Sequence, residues 1–389
     1  MVENERYRIG ISGSYGGLNL GDEAILEGIL QQLRATVAAE VTVFSRNPED
    51  TLRRHAVERA VPVRSMSREE ARAEIERLDL LVLGGGGILY DGEAEVYLRE
   101  VAIAESVGVP VVVYAISAGP LASAASRKAV ATHLRSAARI TVRDRGARKL
   151  LEEVGIHNDI HVTADPALLI APEPLEPNVL TREGLDGGHE LVGMSVREPG
   201  PAAPDIDVEH YHALLANVAD FMVSRYDAQV VFVPMERKNM DLQQSHAVVS
   251  RMKSADRATV LKGDYSPGQL LTLIGHFEFG LGMRLHFLIF SAMQGIPFVP
   301  LPYASKVQGF IEDLEIEMPP LEHVTTGHLI AHIDRSWDVR ASVRDHIRSR
   351  VPPLQARARE TNQFVLQVLR SKPPKEQGPD LAHAAAQTT

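Results

Sequence analysis

The apolar positions in the first half of the chain form short runs that alternate with longer stretches of helical spacing. Arg8 to Ser12, Val41 to Ser45, Leu78 to Leu83, Val109 to Ile116 and Arg139 to Val142 are compact β-rich runs and read as strands. Between the first two, Ile25, Leu26, Ile29, Leu30, Leu33 and Val37 recur along one helical face, which predicts a helix over Asp22 to Val37. Ala94 to Val107, Ser123 to Ala137 and Arg145 to Val154 are further helical patterns. Strands alternating with helices mean βαβ units, so an α/β fold with a parallel sheet covered on both faces is expected.

The rhythm lapses after Ala171. Pro172, Pro174 and Pro177 crowd one short stretch, followed by Gly184 to Gly188, and such a segment cannot continue a helix or a central strand. The alternation then restarts, with strands expected at Glu190 to Val196, Gln229 to Val233, Ala258 to Leu261, Phe277 to Leu281 and Phe298 to Leu301. Helices fit Val208 to Tyr226, Asn239 to Lys253, Pro267 to Gly275, Leu285 to Gln294 and Val307 to Leu314. The expected organisation is therefore two doubly wound domains, 1–171 and 190–335, joined by a linker at 172–189. Helices at 336–371 and a disordered tail at 372–389 complete it. Such a pair of sheets places a cleft between the carboxyl ends of their strands.

Composition narrows the chemistry. Against 51 Asp and Glu stand 41 Lys and Arg, a formal net charge of −10, so a nucleic-acid partner is not expected. The chain has no cysteine, which removes thiol nucleophiles, redox pairs and Cys-zinc sites. The uncharged stretch from Val107 to Ser126 is interrupted by Pro110, Gly119 and Pro120, and reads as strand, turn and helix start rather than a membrane span. A cytoplasmic protein is expected. Arg340 to Lys375 carries nine Lys or Arg against Asp345 and Glu360. That segment is either a solvated helix whose Phe364, Val365, Val368 and Leu369 pack back on the first domain, or a peripheral contact with an anionic membrane.

Three glycine-bearing segments fall at strand ends. Gly13 to Ala24 links the first strand to the first helix, and its glycines let backbone approach a ligand; Asp22 is placed as a helix cap or as a base facing the cleft. Gly84, Gly85, Gly86 and Gly87 directly follow an apolar strand, which fits a backbone nest around phosphate or carboxylate. Gly280 to Phe290 puts Arg284 and His286 at a helix start, where a cation opposes the helix dipole unless an anion is near. Arg143, Arg197 and Lys306 follow other strands. Four cations at sheet carboxyl ends of an acidic protein suggest a strongly anionic small ligand. There is no nucleotide-binding GxxxxGK[ST], no HExxH and no GxSxG, and no histidine cluster with metal spacing, so no metal or cofactor is expected.

In this order, Asn19-Leu20-Gly21-Asp22-Glu23-Ala24, Gly84 to Gly87, Val142-Arg143-Asp144, Asp165-Pro166, Gly282-Met283-Arg284-Leu285-His286 and Lys306-Val307 resemble the polysaccharide pyruvyl transferase family. The resemblance includes the bacterial enzymes that modify cell-wall polymers. It implies two Rossmann-like domains in a GT-B-like arrangement, phosphoenolpyruvate as donor, a possibly lipid-linked sugar diol as acceptor and a cyclic pyruvate ketal as product. It places Arg143, Arg284, Leu285, His286, Lys306 and the four glycines at the donor. His286, Asp22 and Arg143 are then the expected catalytic residues, with Asn19, Asp22, Glu23, Arg197 and Asp241 on the acceptor side. Members often carry an acidic residue shortly before the lysine, where this chain has Ala304 and Ser305. A nucleotide-sugar glycosyltransferase on the same fold is the alternative, using the same cations for a diphosphate.

Overall fold

The computed structural model describes residues 6–157, 159–185, 187–198, 207–236, 240–301, 305–317 and 325–371. The first sheet holds seven strands: β1 (Tyr7–Ser12), β2 (Ala39–Ser45), β3 (Arg59–Pro62), β4 (Leu80–Leu89), β5 (Val111–Ala118), β6 (Arg139–Val142) and β7 (Ile160–Val162). Their order is β3-β2-β1-β4-β5-β6-β7, and every neighbouring pair is parallel. Helices α1 (Leu20–Thr36), α2 (Pro48–Arg54), α3 (Arg68–Glu76), α4 (Ala94–Ser106), α5 (Ala124–Leu134) and α6 (Arg145–Val154) make the crossovers. The pattern misses β3 and β7, whose few residues leave no period to detect, and also α2 and α3, which bury only Asp50 and Thr51 and only Ala71 and Ile75.

A 3₁₀ turn at Pro166–Leu169 and a short α7 (Val179–Glu183) lead into the second unit. Thus the segment expected as a linker contains a helical turn after its prolines. The second sheet, β10-β9-β8-β11-β12, is again all parallel. Its strands are β8 (Glu190–Ser195), β9 (Ala228–Phe232), β10 (Ala258–Val260), β11 (Phe279–Gly282) and β12 (Phe298–Pro300). The helices are α8 (Val208–Tyr226), α9 (Met240–Val249), α10 (Pro267–Ile274), α11 (Leu285–Met293), α12 (Ser305–Leu314), α13 (Thr326–Asp338) and α14 (Arg340–Arg370). The expected tail at 372–389 and the start of α9 at Asn239 lie outside the described residues.

Helix α14 crosses back onto the first unit, as its apolar residues suggested. Val365 and Leu369 are buried, Asn362 donates to Thr36 Oγ1 (2.8 Å), and Thr361 Oγ1 donates to Thr163 Oγ1 (2.8 Å). Its basic surplus is largely spent on acids of the second unit: Arg340 and Arg344 both reach Glu278 (2.9 Å each), Arg350 pairs with Glu315, and Arg357 with Asp313 (3.0 Å). No described helix is long and apolar enough to cross a membrane.

The two units meet where α1 begins. Leu20 N donates to Met235 O (2.8 Å), and Asn19 forms an antiparallel bridge with Glu236. At a second contact, Arg54 of α2 pairs with Asp264 (2.7 Å) and donates to Tyr265 O (3.2 Å). These contacts bring the carboxyl ends of the two sheets face to face.

Candidate active site

A cleft of about 590 Å³ opens between those carboxyl ends. In each sheet the chain reverses winding direction at the middle, between β1 and β4 and between β8 and β11, and crevices outside such strand pairs are where doubly wound sheets bind ligands. The cleft brings together Asn19, Asp22, Gly87, Arg143, Arg197, Arg284, Leu285, His286 and Lys306 from six separate stretches of chain.

On the first unit's side, the loop after β1 ends in Asn19, not Asp22, as the cap of α1. Asn19 Oδ1 accepts from Gly21 N (3.0 Å), so Asp22 sits inside the first turn with its carboxylate available to the cleft. Burial pushes the Asp22 carboxyl up from its usual range, opposed by His286, Lys306 and a hydrogen bond with Ser14. Its neighbour Glu23, expected on the acceptor side, does not line the cleft. Successive helix residues diverge by about 100°, and Glu23 therefore turns inward. It is fully buried, accepts from Gly16 N (2.9 Å) and pairs with His55 Nε2 (2.8 Å), while His55 Nδ1 lies 3.1 Å from Glu27.

The glycine quartet is not a loop nest. Gly84 to Gly87 continue β4 and stay in register with β5, Gly84 opposite Tyr114 and Gly87 opposite Ser117. Packing or backbone conformation explains three of the four. A Cβ at Gly84 would run into Tyr15 Oη and one at Gly85 into Ile25 Cγ2, and Gly85 and Gly86 adopt φ of +40° and +87°. Only Gly87 lines the cleft. There a Cβ would lie 3.7 Å from Arg143 Nη2 and 3.8 Å from Lys306 Nζ, so its bare backbone marks where two cations converge.

Arg143 is aimed by Asp165, whose Oδ2 accepts from Nη1 at 2.6 Å and lies 3.5 Å from His286 Nε2. The other oxygen caps the 3₁₀ turn by accepting from Ala167 N (2.9 Å). Burial alone would raise this carboxyl, but Arg143 and His286 dominate and hold it well below the usual carboxylate range. One carboxylate thus lies against a side chain from each unit, bonded to Arg143 and 3.5 Å from His286. Its contacts with Arg143 and His286 are not visible in the sequence, because both partners are distant along the chain.

Arg284 occupies the cap of α11, where a cation opposes the dipole. The compensating anions are internal. Asp241 takes Nε on both oxygens (2.8 and 3.0 Å) and also Nη2, and Glu236 accepts from Nη2 at 2.9 Å. Asp241 is completely buried behind the arginine and does not line the cleft, which corrects its expected place on the acceptor side. Arg197, at the end of β8, lines the cleft and donates from Nε to Glu198 O (3.0 Å). Arg46 and Tyr90 also line it, and sequence reading passed over both. The rule that selected Arg143, a cation immediately after a strand, applies equally to Arg46 after β2.

The architecture is that of the GT-B-like epimerases and glycosyltransferases. The UDP-bound S. aureus protein MnaA superposes with a TM-score of 0.64 at 12% identity, over 95% of this chain and 100% of that one. The UDP-GlcNAc 2-epimerase from Neisseria meningitidis bound to UDP-GlcNAc gives 0.62 at 11%, over 94% and 100%. A glycosyltransferase from Rickettsia africae gives 0.62 at 10%, again over 94% and 100%. At such identities the likeness is one of fold alone. No curated protein matches the chain in sequence. Residues 19–305 match the model of the polysaccharide pyruvyl transferases, and the chain belongs to that family of transferases.

Proposed function

We propose that the protein transfers the pyruvyl group of phosphoenolpyruvate to two hydroxyls of a saccharide, releasing phosphate and leaving a cyclic ketal. The observation that carries this reading is the convergence of Arg143 and Lys306 over Gly87, with His286 and Asp22 in the same cleft. The donor's phosphate and carboxylate need several fixed cations, and charge-assisted bonds to guanidinium groups supply both strength and orientation. Arg143 and Lys306 neutralise the phosphate, and Arg284, stiffened by Asp241, meets the carboxylate. The methylene carbon gains a proton and becomes the methyl group. The adjacent carbon accepts a sugar oxygen, whose proton passes to a base. Phosphate departs with its bridging oxygen, and the second hydroxyl adds at the same carbon and gives up its proton.

His286 is suited to deliver the proton to carbon, since Asp165 faces its Nε2. Asp22, its carboxyl raised by burial, is suited to take the hydroxyl proton. The saccharide acceptor follows from the family, while the donor and the ketal are our reading. We place the reaction in the cytoplasm.

Calorimetric titration of the full-length protein with phosphoenolpyruvate, UDP and GDP tests the donor. Saturable phosphoenolpyruvate binding that disappears in Arg284→Ala is expected, with His286→Ala retaining binding but releasing no phosphate. Binding of a nucleoside diphosphate alone would overturn the reading in favour of nucleotide-sugar transfer.

A further inference from the structure

The proposed donor contacts leave one side of the cleft unused. Arg46 differs from the other arginines there. Arg143 and Arg284 are each locked to carboxylates, whereas exposed Arg46 makes no ion pair with a carboxylate among the described residues. It is nevertheless held in place. Its Nη2 donates to Tyr97 Oη (2.5 Å), and the buried Tyr97 ring lies beneath the Arg64 guanidinium, 5.0 Å from the centroid. An arginine propped by a tyrosine hydroxyl rather than a carboxylate, and lining a cleft, has its charge available to a ligand.

Tyr90 stands beside it. This residue leaves β4 three positions after Gly87 and is 37% exposed, one of the few large aromatic or aliphatic side chains so uncovered among the described residues. A tyrosine ring offers an apolar face to the C–H surface of a sugar and a hydroxyl to its oxygens. Burial, with Glu93 and Tyr97, pushes its phenol up to about 12, so it stays protonated as a donor. Tyr90, Arg46 and the candidate base Asp22 line the same cleft.

We propose that Tyr90 and Arg46 form the acceptor subsite and that it takes a saccharide carrying an anionic substituent. The ring stacks on Tyr90, Arg46 binds the substituent's oxygens, and a hydroxyl is left next to Asp22. The assignment rests on the pyruvyl-transfer reading for the identity of the reaction, but the binding preference can be measured without turnover.

Saturation-transfer NMR on the full-length protein, with α-glucosyl phosphate, methyl glucuronide and methyl glucoside as probes, tests it beside calorimetric titration with phosphoenolpyruvate. The wild type should bind an anionic probe more tightly than the neutral one, and the better of the two tells phosphate from carboxylate. Arg46→Gln should remove that preference, a loss of about tenfold or more expected for a charge-assisted contact. Tyr90→Ala should weaken all three probes while Tyr90→Phe keeps the stacking, and phosphoenolpyruvate affinity should not change in any of these variants. Equal wild-type binding of neutral and anionic probes, no probe binding at all, or an Arg46→Gln loss that falls on phosphoenolpyruvate would each overturn the subsite. Wild-type selectivity for anionic sugars without phosphoenolpyruvate binding would support the subsite and remove the donor assignment instead.

Discussion

Gly21 and His286 touch across the boundary between the two units: a Cβ on residue 21 would fall inside the His286 imidazole, against Nδ1. The histidine from α11 therefore seats directly on the first turn of α1, beside Asp22. Gly21→Ala should displace His286 or part the units, costing turnover at least tenfold and stability about 1–3 kcal/mol, the usual range for overpacking. Gly327→Ala, where no atom lies within 4 Å of the added methyl group, should leave both unchanged. Steady-state rates and thermal melts of the two variants check this.

The bond between Asp165 and Arg143 is buried on both sides, and removing the carboxylate charge leaves a guanidinium uncompensated. Asp165→Asn should destabilise the protein by roughly 3 kcal/mol and weaken donor binding. The depressed carboxyl stabilises the fold above its unfolded pKa of about 3.9, and that contribution is lost as pH falls through the folded value. Denaturant melts should show the gap between wild type and variant at full size near neutrality and shrinking below about pH 4.

His55 makes the opposite pH prediction. Burial alone would lower its pKa, but the bonds to Glu23 and Glu27 raise it to about 9. A group whose folded pKa exceeds its unfolded value of about 6.5 stabilises fully below that value and loses its contribution as pH rises through the folded one. The melting temperature should therefore fall between neutrality and pH values just above 9. In His55→Gln that slope should flatten and the protein start less stable by about 3 kcal/mol, since buried Glu23 loses its counter-charge. An unchanged slope would show that another group titrates there.

Gly85 and Ile25 offer a packing test free of charge effects. Gly85→Ala sets a methyl group on Ile25 Cγ2 at a φ of +40°, and should cost more than about 2 kcal/mol. Adding Ile25→Ala to it should cost less than the two single changes summed, because the cavity accepts the new methyl. A double-mutant cycle on unfolding free energies measures that coupling.

Much of the fold was legible because its signals are local. Helices α6 and α8 have the ends that periodicity assigned, and β6 likewise, since a run of apolar residues and a capping side chain lie within a few positions of each other. The glycine quartet misled for the same reason. A neighbour-by-neighbour reading sees four flexible residues after a strand, and cannot see Tyr15 and Ile25 waiting above them.

The sequence by itself determined the alternation of strands and helices and which cations stand at strand ends, because both follow from short-range period and from the direction of a parallel strand. Tertiary structure alone decided what those cations are for. Asp241 lies 43 positions from Arg284, Asp165 lies 22 from Arg143, and no local pattern marks either pair. One helical step separates Asp22, turned to the cleft, from Glu23, turned to His55, and only the packing of α1 on its sheet fixes which is which. Burial sets the meaning of a charge, and burial is a property of the whole fold.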